Sequence, residues 1–199
     1  MSNETSIGRV LRASTTSFAI GCQQPMAEQE RTTPELGALV KAPNGAGRVT
    51  YGLVYNVVVE DDPFVRQLVA AGIEDEVYIA DQRQRRQVPV VVDVLIVGCG
   101  QGLEVYHRLP PTPPGTLDRI FACNHAEIVR FTQRHDWLRT VVAAAQIPAD
   151  ALLIAALRNA AAARPPDQRE AYLVGAGREM AKLLALDLAR LDGVLRQLR

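Results

Sequence analysis

Between Pro34 and Val59 the chain writes two extended segments around a glycine-rich turn, and this pattern constrains the fold more than any other. Leu36, Ala38 and Val40 alternate with Gly37, Leu39 and Lys41, after which Val49, Tyr51, Leu53, Tyr55, Val57 and Val59 recur every second residue. A period of two is what a half-buried strand requires, so the stretch predicts a hairpin of a curved sheet with nothing catalytic in it. Gly37 and Gly52 fall inside the expected strands, where glycine costs stability. A bend or a close backbone approach is therefore expected at each.

The same grammar extends from Ile7 to about Val105. Strands are predicted near Ile7 to Ala13, Ser17 to Cys22, Gly37 to Ala42, Arg48 to Glu60, Val88 to Gly98 and Leu103 to His107. Six short strands suit a small closed barrel, because closure removes unpaired edges. One excursion interrupts it: Pro63 after an acidic cap predicts a short helix between Asp61 and Gly72. Behind it, Asp81 to Gln87 reads as a solvated loop whose Arg83, Arg85 and Arg86 are candidate contacts for a partner or for nucleic acid.

From about Asn124 the periodicity becomes helical. Asn124 with Glu127 makes a capping box, Asp136 is expected to cap the next helix, and Trp137, Leu138, Val141 and Val142 form that helix's apolar face. Pro148 opens an alanine-rich helix that Pro165-Pro166 ends, and one last helix is predicted from Asp167 to the end. Its stripe includes Leu184, Leu188, Leu191 and Leu195, a candidate helix interface. Packing on the preceding helices of the same chain is favoured over self-association, with oligomerisation left open. The expected fold class is α+β, a barrel over residues 1–122 followed by an all-helical module over 123–199.

Charge and cysteine usage narrow the chemistry. With 22 Lys+Arg against 22 Asp+Glu, no whole-protein field favours nucleic acid or an anionic membrane. No apolar run reaches about 18 residues and the first residues are polar, so a soluble cytoplasmic protein is expected. Cys22, Cys99, Cys123, His107, His125 and His135 are scattered, which argues against structural zinc and a disulfide framework. His135 reads as a surface histidine beside a capping aspartate, and no metal or cofactor is expected. Gly98-x-Gly100 resembles a dinucleotide-binding turn, but Leu103 stands where the third glycine belongs and prolines follow before a helix of normal length could form. A glycine hairpin between the last two barrel strands is favoured, and a nucleotide-dependent oxidoreductase ranks last among the functions.

Taken together, Ile7-Gly8-Arg9-Val10, Phe18, Pro34-Glu35-Leu36-Gly37 with Leu39-Val40, Tyr51-Gly52-Leu53-Val54, the Val90 to Gly98 strand and Pro110-Pro111-x-Pro113-Pro114-Gly115 before a capped helix are in a telling order. Over about residues 5 to 133 the chain resembles the HAS barrel, shared by HerA-type hexameric DNA translocases and the catalytic subunits of rotary ATP synthases. In that family the barrel precedes a RecA-like motor and helps to assemble the ring and dock partners. Here no G-x-x-x-x-G-K-[ST] follows, so the resemblance implies a freestanding barrel without an ATPase of its own. The function it implies is a non-enzymatic assembly or adaptor module, partnering a HerA-like ATPase or its nuclease in DNA processing. The alternative is a barrel that binds single-stranded nucleic acid through Arg83, Arg85 and Arg86. Only 5% of the chain is aromatic, which leaves few stacking platforms for bases.

Overall fold

The computed structural model describes residues 6–25, 33–44, 47–72, 75–85 and 87–198. Among the described residues seven strands form one sheet: β1 (Ser6–Ala13), β2 (Ser17–Pro25), β3 (Leu39–Pro43), β4 (Arg48–Val59), β5 (Gln87–Gln101), β6 (Glu104–Tyr106) and β7 (Arg119–Ala122). Six of them close in the order β1-β2-β5-β4-β3-β7, with β7 returning to β1. Every pairing is antiparallel. The expected hairpin is β3–β4, in register Val40↔Gly52 and Lys41↔Tyr51.

The sixth barrel strand is not the one expected. The segment after Gly102 yields only β6, which hangs on the end of β5 outside the closed circuit. Arg119–Ala122, four residues too short to carry a period, closes the barrel between β1 and β3. Gly98 and Gly100 also lie within β5, not in the turn, which falls after Gln101 at Gly102 (φ +61). The first strand of the hairpin begins at Leu39, so Gly37 belongs to the preceding turn, at φ +78. Gly52 behaves as expected: β4 shifts register between Tyr51 and Gly52, and a Cβ there would come within 2.3 Å of Val94 Cγ1.

Inside the barrel Val10, Phe18, Ile20, Val54, Ile96 and Ile120 belong to a single fully buried apolar cluster. A small barrel filled in this way is a packed core with no lumen. Alternation then places Tyr51, Leu53, Leu95 and Val97 on the outer wall, and they too are buried, at 8% exposure or less. The helical module covers them. Phe131, Trp137, Leu152, Leu153 and Leu157 share one core with these outward residues, which is why two strands read as continuous apolar runs.

The described residues also hold seven helices: α1 (Pro63–Ala70), α2 (Glu76–Arg85), α3 (His125–Phe131), α4 (Leu138–Val142), α5 (Ala149–Ala162), α6 (Pro166–Leu183) and α7 (Leu188–Leu198). α1 starts as expected, with Asp62 accepting from the N–H groups of Phe64 and Val65 and Pro63 in the first turn. α3 has the expected capping box between Asn124 and Glu127. α2 corrects the solvated-loop expectation: the Asp75 carboxylate accepts from the N–H groups of Val77 and Tyr78, and the Arg/Gln run has ample helix propensity. Asp136 does not cap α4. Trp137 occupies that position without a side-chain bond, and Asp136 pairs with Arg134 at 2.8 Å. The single last helix is also two, because Asp187 accepts from the N–H of Arg190 and starts a new helix after the break at Leu184.

Candidate interaction surfaces

The candidate arginines are placed only in part. Arg83 and Arg85 lie on the backbone of α2, while their side chains and all of Arg86 lie outside the described residues.

The leucine stripe is divided by the helix break. Leu184 is 4% exposed at the end of α6, whereas Leu188 is 69% exposed at the start of α7. Leu191 and Leu195 are partly buried against the main core, beside the fully buried Val194. Polar ties hold α7 to α5: Arg190 Nε donates to Asp150 Oδ1 at 2.7 Å, and Arg158 Nη2 donates to the Gln197 carbonyl at 2.5 Å. The stripe thus faces α5 in part and does not present one continuous external seam. The missed sequence signal is Asp187, an N-cap residue three positions before Arg190.

His135 is not the surface residue expected. Its ring stacks on Tyr172 at 5.1 Å and lies against Gly175 of α6. Arg164, 7% exposed, sits over the other member of that stack with its Cζ 3.6 Å from the Tyr172 ring centroid. The guanidinium is satisfied by the carbonyls of Ala160 and Thr132, at 2.5 and 3.1 Å. Burial, then the Arg164 charge, push the His135 pKa down, while burial pushes the Tyr172 hydroxyl up to about 12. Among the described residues His135 Nε2 is buried without a hydrogen-bond partner. The Tyr172 hydroxyl lies near the Thr132 side chain, which does not offset its burial. This cluster holds α6 to the end of α5.

A second polar feature is a cleft of about 120 Å³ between the β3–β4 turn and the proline segment, lined by Asn44, Arg48, Thr50, Cys99, Tyr106 and Arg108 among others. Arg108 lies over the Tyr106 ring, and its guanidinium is exposed. Among the described residues no group of three or more His, Cys, Asp or Glu side chains could hold a metal ion, and no helix is long and apolar enough to cross a membrane. The Gly98–Gly102 segment is strand and hairpin, so no helix N-terminus is available there for a pyrophosphate.

Apolar side chains are exposed at the other end of β4. Val57, Val58 and Val59 are 38%, 38% and 56% exposed, beyond the part of the strand that the helical module covers. The α1–α2 excursion follows directly, with Val69 and Val77 more exposed still. α1 has a marked apolar stripe and not one buried residue. Comparison of the chain with protein-family models gives no match, and comparison with curated proteins gives none. A closed six-stranded barrel is a scaffold that unrelated proteins use for different tasks, so the HAS-barrel resemblance rests on its quoted motifs alone.

Proposed function

We propose that this chain is a non-enzymatic adaptor that works in the cytoplasm with a HerA-like hexameric ATPase or its nuclease in DNA processing. The observation that supports an adaptor is the apolar surface at Val57–Val59 and α1, set on a barrel whose interior is already full. A filled barrel offers no room for a substrate, whereas exposed apolar side chains gathered on one strand end suit protein association. The choice of ATPase comes from the motif resemblance alone.

The test is co-elution of the purified full chain with a HerA-type ATPase from the same host, followed by light scattering. A stoichiometric complex at physiological salt is expected. Absence of a complex, together with tight single-stranded DNA binding that is lost when Arg83, Arg85 and Arg86 are neutralised, would replace this reading with the nucleic-acid one.

A further inference from the structure

We infer that the free edge of β4 from Tyr55 to Val59 is a strand-pairing site for an extended apolar segment of a partner protein that begins with a basic residue. The inference rests on the adaptor reading and gives it a contact chemistry. Up to Val54 this edge is occupied: Gly37 N–H donates to the Val54 carbonyl at 2.8 Å, and Val54 N–H donates to the Ala38 carbonyl at 3.0 Å. Beyond Val54 a register shift precedes Asn56, and β4 continues on β5 alone, from Asn56↔Asp93 to Val59↔Val90. Glu60 N–H then donates to the Pro89 carbonyl at 2.9 Å. Backbone groups alternate sides along an antiparallel strand, so Asn56, Val58 and Glu60 address β5 while Val57 and Val59 address the open side. Among the described residues nothing pairs with Val57 or Val59 there.

Beyond the bulge that precedes Asn56, the edge carries little of the usual protection. Natural sheets blunt free edges with lysine, proline, very short strands or a covering element. Tyr55-Asn56-Val57-Val58-Val59 has neither lysine nor proline, and no residue of α1 is fully buried. Five residues give a free edge roughly 16 Å long, enough for a short added strand. Val57 and Val59 lie on one face and Val58 on the other, all exposed, so an occupant finds apolar contact on both faces. Charge completes the description. Asp61 pairs with Arg66 and Asp62 caps α1, whereas exposed Glu60 has no ion pair among the described residues and can receive a lysine or arginine. A second copy fits worse. Antiparallel self-pairing about Val57 would bring each Glu60 opposite Val54, whose edge Gly37 and Ala38 already occupy, and offers it no basic residue.

The test uses the full chain and a fluorescein-labelled synthetic peptide, a lysine followed by five valine and threonine residues, read by anisotropy. Saturable binding is expected. It should weaken at least tenfold for the same peptide N-methylated at alternate amides, and for Val57→Pro, which removes an outward N–H without touching the β5 ladder. Should Val57→Pro fail to fold, the methylated peptide on the wild type decides. Glu60→Lys should weaken binding of the lysine peptide and favour one beginning with glutamate. Absence of saturable binding, equal binding of the methylated peptide, or a wild-type dimer that Val57→Pro dissociates would overturn the inference, the last in favour of a second copy. An ATPase complex that forms equally with wild type and Val57→Pro would sink the edge and spare the adaptor; peptide binding without an ATPase complex would do the reverse.

Discussion

Gly37 meets Ala155 with no room between them: a Cβ built on Gly37 would lie 2.6 Å from the Ala155 carbonyl carbon and 2.6 Å from its Cβ. The turn before β3 therefore rests directly on the backbone of α5, and barrel and helical module meet at a point that only glycine permits. The same glycine stands at φ +78, where a side chain is strained in any case. One residue is thus required twice, by its dihedral angle and by its neighbour.

Gly37→Ala is expected to destabilise the fold by about 3 kcal/mol or more, since left-handed strain of order 1–2 kcal/mol adds to a clash with helix backbone that cannot swing aside. Gly102→Ala is the control, at φ +61 with nothing near its Cβ, and should cost about 1–2 kcal/mol. Urea unfolding of both variants separates the two. Equal losses would mean that the barrel does not seat on α5 as described.

Gly100 supplies a second test. A Cβ there would approach the Glu104 carbonyl oxygen to 2.6 Å across the β5–β6 hairpin, so Gly100→Ala should lower the melting temperature by several degrees. Nicotinamide and adenine nucleotides should leave the melting temperature of both forms unchanged. A stabilising shift by NAD(H) in the wild type, removed by the substitution, would restore the dinucleotide reading.

Glu127 does two jobs at the seam. One carboxylate oxygen accepts from the Asn124 N–H at 2.9 Å to complete the α3 cap, and the other takes the Lys41 ammonium at 2.5 Å. Lys41 is 7% exposed on the outer wall of β3. Glu127→Ala removes the carboxylate that takes the Lys41 ammonium and half of a capping box, so a loss of about 2 kcal/mol or more is expected in chemical denaturation. The double variant Lys41→Met with Glu127→Ala should recover part of that loss. If the single variant costs under about 1 kcal/mol, the pair is not buried as described.

His135 makes stability depend on pH. Its folded-state pKa lies below the ordinary 6.5, through burial first and the Arg164 charge second, partly opposed by the carboxylates of Glu179 and Asp136. The unfolded chain therefore binds a proton before the folded chain does. The contribution of the neutral ring is complete above pH 6.5 and is lost as pH falls from 6.5 through the depressed folded value. His135→Phe keeps an aromatic ring against Tyr172 and removes the titration, so its melting temperature should fall less between pH 7 and pH 5 than that of the wild type. Identical slopes would show that the ring is solvated.

What the sequence by itself determined is local. The period of two over Val49 to Val59 made β4, Asp62 with Pro63 made the start of α1, and Asn124 with Glu127 made the start of α3, because each signal lies within a few residues of its effect. The break at Asp187 and the Asp75 cap of α2 were also written in the chain, where a heptad-like stripe and an arginine-glutamine run outweighed single capping residues. Tertiary structure alone decided the rest. Arg119–Ala122 is too short to show a period and becomes a strand only because β1 and β3 leave a gap of that width. His135 carries no local sign of burial, and its place follows from α6 packing against it. The open edge at Val57–Val59 was equally invisible: the sequence specifies an alternating strand, but which of its two edges finds a neighbour depends on where β3 begins, after the Gly37 turn that α5 holds in place.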